Sequence, residues 1–123
     1  MDASAWPAAG WKGPLLVIRL SSLGDVILAT GPLRRLRQAF PALAIDFLTR
    51  RAYAPVLQGC PWIDHLILAD GAPGALRGDP LASNERRVYE IALDWQGGRK
   101  GRRAAARFAP GARRIAAPRA ALG

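Results

Sequence analysis

The sequence predicts an α/β domain: a Rossmann-like parallel sheet with helices on both faces. Three observations predict it. Short apolar runs alternate along the chain with stretches of helical periodicity, which is the pattern of βαβ units. The runs are near-continuously apolar rather than alternating, which suits strands covered on both faces. The chain has 123 residues, half of them hydrophobic, enough for one domain with one core.

Residues 1–13 carry Pro7, Gly10, Gly13 and four alanines, and read as a loose leader. The run Leu15-Leu16-Val17-Ile18-Arg19-Leu20 is too short for a typical helix and reads as the first strand. A tight turn follows at Ser21-Ser22-Leu23-Gly24-Asp25. Val26, Ala29, Leu33, Leu36 and Phe40 then recur every three to four positions, with Arg34, Arg35 and Arg37 between them, as in an amphipathic helix. Gly31-Pro32 interrupts that helix, so a kink or two helices joined end to end are expected there. Pro41 closes it.

Ala44-Ile45-Asp46-Phe47-Leu48-Thr49 reads as the second strand. Tyr53 to Gln58 reads as a short helix stopped by Gly59-Cys60-Pro61. Ile63 to Ala69 reads as the third strand, and residues 71–84 as a loop. Tyr89-Glu90-Ile91-Ala92-Leu93-Asp94 is the fourth strand. Gly97-Gly98 turns the chain into a basic helix over residues 99–108, and Arg113-Arg114-Ile115-Ala116 is a weak fifth strand. Right-handed crossovers then order the sheet 3-2-1-4, with the fifth strand beside the fourth.

Composition narrows the function classes. No apolar run approaches the ~20 residues of a membrane helix, and the leader lacks the charged and apolar regions of a secretory signal. Cys60 and His65 are each the only residue of their type, so neither an intrachain disulfide nor a Cys- or His-rich metal centre is available. A passive thiol and a structural histidine are the simpler readings of the two. The expected location is the cytoplasm.

The net charge of +9 is uneven. Residues 1–98 hold ten Lys/Arg against nine Asp/Glu, whereas residues 99–123 hold eight Lys/Arg and no acid. Such a stretch favours anionic partners: phosphorylated sugars, anionic lipid surfaces or nucleic acid. A solvated basic helix is the plainer alternative.

In a doubly wound sheet, ligands bind beyond the carboxyl ends of the strands. Two turns lie at that edge: Ser21 to Asp25 after the first strand, and Asp94-Trp95-Gln96-Gly97-Gly98 after the fourth. Ser21 and Ser22 offer hydroxyls, and Gly24 permits a sharp bend and close approach of a ligand to backbone. Asp25 falls at the start of the first helix, where the dipole favours its charged form. An ionised carboxylate facing a cleft can take the proton of an attacking hydroxyl. Asp is also a good helix cap, and spacing alone is satisfied by that role. Gln96 suits either ligand binding or support of its turn, and Trp95 either stacking on a sugar or packing on the first helix. There is neither a GxGxxG fingerprint nor a P-loop, so a dinucleotide or ATP reading finds no support.

The segment Leu16-Val17-Ile18-Arg19-Leu20-Ser21-Ser22-Leu23-Gly24-Asp25-Val26-Ile27-Leu28-Ala29-Thr30 resembles the opening of glycosyltransferase family 9, the ADP-heptose:lipopolysaccharide heptosyltransferases. Three further segments resemble it in order: Leu36-Arg37-Gln38-Ala39-Phe40-Pro41; Ile45-Asp46-Phe47-Leu48-Thr49 with Tyr53-Ala54-Pro55; and Tyr89-Glu90-Ile91-Ala92-Leu93-Asp94-Trp95-Gln96-Gly97. The last is similar to the family's Tyr-Asp-x-x-x-Asp-x-Gln-Gly signature, with Glu90 replacing an Asp.

The resemblance implies the N-terminal half of a GT-B fold. That half binds the acceptor, the lipopolysaccharide inner core, and a second Rossmann-like domain binds the ADP-heptose donor. It implies inverting transfer without a required metal or further cofactor. It makes Asp25 the general base, and it places acceptor contacts at Ser21, Ser22, Gly24, Gln96 and Gly97. Arg99, Lys100, Arg102 and Arg103 would meet acceptor phosphate and carboxylate groups, with Arg77, Arg86 and Arg87 as weaker candidates. The expected organisation is a leader at 1–13, the acceptor-side domain at 14–117 and a tail at 118–123, with the donor domain absent; such a fragment is expected to be inactive alone. A peripheral contact with anionic membrane at the inner membrane face fits the basic stretch. The rival reading is a small basic module holding nucleic acid or anionic lipid through residues 99–123. Phe108 is the only ring in that stretch, whereas single-strand binders stack bases on several aromatics, which disfavours nucleic acid.

Overall fold

The computed structural model describes residues 13–70 and 88–116. Five parallel strands form one sheet in the order β3-β2-β1-β4-β5: β1 Leu15–Ile18, β2 Ile45–Thr49, β3 His65–Leu68, β4 Ile91–Asp94 and β5 Arg113–Ala116. The order is the one that the alternation of apolar runs predicts. Val17 stands beside Phe47 on one side and Leu93 on the other, so β1 is the centre of the sheet.

Every residue of β1, β2 and β4 is buried, which explains why they are apolar throughout except at Asp46, Thr49 and Asp94. One face packs Leu15, Val17, Ile45, Phe47 and Leu93 against Val26, Ala29, Leu33 and Leu36. The other packs Leu16, Ile18, Leu48 and Ala92 against Ala104, Ala105 and Ala109. Helices therefore cover both faces. Truncating a fully buried side chain such as Phe47 to Ala would cost about 3–5 kcal/mol.

The first helical stretch is two helices end to end, α1 Leu23–Leu28 and α2 Thr30–Ala39, with Ala29 between them. The break falls before Gly31-Pro32 rather than at it. Pro32 is thereby placed in the first turn of α2, where its missing N–H is one that would have no partner within the helix anyway. The short helix expected from Tyr53 is a 3-10 helix that begins earlier, Arg51–Val56, with Pro55 inside it. Gly59 follows with φ +75°, a conformation that side chains with a Cβ rarely adopt.

The last helix, α3 Gly98–Phe108, buries Gly101, Ala104 and Ala105 and exposes Arg99, Lys100, Arg102, Arg103 and Arg107. The basic stretch is thus the outer face of a packed helix, followed by a strand of the same sheet. Residues 1–12, 71–87 and 117–123 lie outside the described residues, and with them the loop expected at 71–84 and Trp6, Trp11, Arg77, Arg86, Arg87 and Arg119. Among the described residues no helix is long and apolar enough to cross a membrane.

Candidate functional site

Asp25 and Gln96 come together at the carboxyl edge of the sheet, because β1 and β4 are neighbours there. The backbone N–H groups of Trp95 and Gln96 both donate to the carbonyl of Ile18, at 3.0 Å each. The Gln96 side chain then turns back over β1. Its Oε1 accepts from the N–H of Leu20 at 3.0 Å and of Ser21 at 3.2 Å. These backbone groups lie past the end of the β-ladder and would otherwise lack a partner. Of the two roles open to Gln96, its oxygen fills the supporting one, while Nε2 stands 3.5 Å from Ser21 Oγ.

Asp25 is the third residue of α1 and reaches back to Ser22, the residue before the helix. Its Oδ2 accepts from the Ser22 N–H at 3.3 Å and from the Ser22 hydroxyl at 3.0 Å. The same oxygen meets Arg19 Nη2 at 2.8 Å. The Ser22 backbone hydrogen bond, then the Arg19 and Ser22 side-chain contacts, hold the carboxyl below its ordinary value. Asp25 is therefore ionised at neutral pH, and it is a helix-capping residue as well. All its described contacts fall on Oδ2.

Arg19 reads in the sequence as one polar interruption of a core-like run. Its Nη1 also donates to the carbonyl of Trp95 at 2.6 Å, so one guanidinium joins α1 to the end of β4. The signal that could have found it is its place two residues after Val17, which faces the α1 and α2 side of the sheet. The Nε of Arg19 and Oγ1 of the adjacent Thr49 are buried without a hydrogen-bond partner among the described residues.

Gly24 is not the point of the bend. It lies inside α1 with an ordinary φ, and the chain turns before Ser22. A Cβ at Gly24 would meet nothing within 4 Å among the described residues. Gly97 does need its conformation: φ is +71° there and +63° at Gly98. The N–H of Gly97 donates to Asp94 Oδ1 at 2.7 Å. Trp95 is buried in the core that includes Val26 and Ala29, so it packs on the first helix.

Asp94 is fully buried, which the signature alone does not reveal. Its Oδ2 accepts from Arg114 Nε at 2.9 Å and pairs with Nη2 at 2.8 Å. Arg114 is thereby withdrawn from the set of free cations. Gly101 packs directly on the Asp94 carboxylate, so this acid sets both the entry and the seat of α3. Arg99, Lys100, Arg102 and Arg103 sit exposed on the first two turns of that helix.

At the other end of the sheet, fully buried Asp46 stands beside partly buried His65. His65 Nδ1 lies 3.0 Å from Asp46 Oδ1, and the Tyr89 hydroxyl donates to Asp46 Oδ2 at 2.6 Å. Among the described residues no three His, Cys, Asp or Glu side chains gather in a group that could hold a metal ion.

No family model matches the chain, and no curated protein matches it in sequence. Solved structures do match its fold. A glycosyl transferase family 9 protein from Veillonella parvula superposes with a TM-score of 0.68 at 24% identity, over 89% of this chain and 34% of that one. E. coli heptosyltransferase WaaC, solved with ADP, superposes at 0.59 and 19% identity, over 84% of this chain and 34% of that one. The same enzyme with ADP-2-deoxy-2-fluoro heptose gives 0.57 and 18%, over 84% and 35%. The chain has the fold of part of these transferases and spans about a third of their length.

Proposed function

We propose that this chain is the acceptor-binding part of a heptosyltransferase-like glycosyltransferase, one that moves heptose from ADP-heptose to the lipopolysaccharide inner core. The observation that carries the reading is Asp25: ionised, at the carboxyl edge of the central strand, with its described contacts confined to one carboxylate oxygen.

An acceptor hydroxyl would hydrogen-bond to Oδ1. As its oxygen attacks the anomeric carbon, the C–O bond to the diphosphate breaks and the proton passes to Asp25. A carboxylate held below its ordinary pKa is a weak base towards a sugar hydroxyl, so the proton moves with bond formation and not ahead of it. Attack from the face opposite the leaving diphosphate inverts the anomeric carbon. Ser21, Ser22, Gly24 and Gly97 would line the acceptor side, Gln96 would keep that loop in place, and Arg99, Lys100, Arg102 and Arg103 would attract acceptor phosphate and carboxylate groups. The nucleotide-sugar donor belongs to a second domain in this reading. A cytoplasmic site with a peripheral contact to the anionic membrane face fits a lipid-linked acceptor.

The test is an NMR titration of the labelled chain with deacylated inner-core oligosaccharide and, separately, ADP-heptose. The oligosaccharide should shift the amides of Ser21, Ser22, Gly24, Asp25, Gln96 and Gly97, and ADP-heptose should leave them in place. Shifts with ADP-heptose alone, or with neither sugar, would overturn the assignment. A response only to single-stranded nucleic acid would favour the basic-module reading.

A further inference from the structure

We infer that Arg19 is a positioning residue that fixes which oxygen of Asp25 faces the acceptor. The inference rests on the reading of Asp25 as the base. Its geometry begins in the backbone: the N–H of Arg19 donates to the carbonyl of Leu48 at 3.1 Å, so the residue continues the line of β1 beyond Ile18. Its side chain is mostly buried, at 16% exposure against 39% for that of Asp25. A buried guanidinium is held by its partners, and here they are few and well separated along the chain.

The two terminal nitrogens are divided between two elements. Nη1 goes to the Trp95 carbonyl at 2.6 Å and Nη2 to Asp25 Oδ2 at 2.8 Å. The Trp95 segment is itself fixed, since the N–H groups of Trp95 and Gln96 hold the Ile18 carbonyl. Arg19 therefore measures the position of α1 from the end of β4.

The division also orients the carboxylate. A guanidinium that met Asp25 with both nitrogens would load both oxygens. Arg19 loads only Oδ2, and the Ser22 N–H and hydroxyl converge on that same atom. Oδ1 keeps its lone pairs for a substrate hydroxyl. Lysine cannot reproduce this, because an ammonium is a point charge without a planar fork. A purely structural tie between α1 and β4 would need neither the charge nor the one-sided loading.

The experiment uses the 123-residue chain without any sugar, so its failure is separable from failure of the acceptor assignment. In the parent chain, the two Nη groups of Arg19 should give separate, slowly exchanging NMR signals. The Asp25 carboxyl should titrate below the ordinary aspartate value. In R19Q its midpoint should rise towards that value. In R19K the midpoint should stay low, because the charge remains, while the Gln96 amide shifts because the Trp95 carbonyl is released. A parent-like midpoint in folded R19Q, or averaged Nη signals in the parent chain, would overturn the inference; the latter measurement stands even if R19Q does not fold.

Discussion

Glycine to alanine inside a helix ordinarily stabilises by up to about 1 kcal/mol, because glycine loses more backbone freedom on folding. Gly101→Ala should do the reverse. A Cβ at Gly101 would overlap the Asp94 carboxylate, which is fully buried and cannot swing into solvent. That carboxylate is pinned by the Gly97 N–H at 2.7 Å and by Arg114 at 2.8 and 2.9 Å. Relieving the overlap must weaken one of these charged hydrogen bonds, each contributing about 1.5–3 kcal/mol. Set against the helix gain, the net is a loss of about 0.5–2 kcal/mol, or roughly 2–8 °C in Tm for a domain of this size. Gly31→Ala is the internal control. It is also helical, but a Cβ there meets nothing within 4 Å among the described residues, so it should leave Tm unchanged or raise it. Urea and thermal unfolding of both variants, followed by circular dichroism, would decide. If Gly101→Ala is as stable as the parent, Asp94 does not seat α3 as described.

Three further outcomes follow from the same contacts. Gln96→Ala strands the N–H groups of Leu20 and Ser21 and should cost about 1–3 kcal/mol in urea unfolding, while Gln96→Glu keeps an acceptor there and should cost less. Replacing Arg102 and Arg103 together with Ala should weaken oligosaccharide binding in a titration, with the difference from the parent widening as salt is lowered, and should leave Tm within a few degrees. The folded-state carboxyl of Asp25 is held below its unfolded value of about 3.9. Its contribution to stability is thus fully present above that value and is lost as pH falls through the lower folded one. An acid titration of unfolding free energy should therefore show a smaller acid-side loss in Asp25→Asn than in the parent.

The sheet was legible because its information is local. Leu15 to Ile18, Ile45 to Thr49 and Ile91 to Asp94 are mostly apolar on both faces, with Asp46, Thr49 and Asp94 as the exceptions, and helical periodicity separates them, so strand type and order follow from pattern and handedness. Adjacency of the first and fourth strands then brought Asp25 and Gln96 to one edge. What stayed hidden depends on partners distant in sequence. Arg19 looks like an intruder in a strand until the Trp95 carbonyl, 76 residues on, is beside it. Asp94 fits a motif, but its burial depends on Arg114 arriving with β5. Asp46 breaks the apolar run of β2 and is tolerated because His65 and Tyr89 bond it. Gly24 suggests a bend in the sequence because glycine often makes one, but the turn lies earlier and Gly24 sits within α1.

The most direct test of the account is Asp25→Asn in the chain joined to the donor-binding domain that the resemblance implies, assayed by ADP release with inner-core acceptor present. Asn keeps the size of Asp and caps a helix about equally well, so the fold should hold. It cannot take the proton. Loss of general-base catalysis should lower kcat by about 10²–10⁴-fold with KM for the acceptor little changed. A kcat within about threefold of the parent would contradict the claim that Asp25 is the base and leave it a helix cap alone.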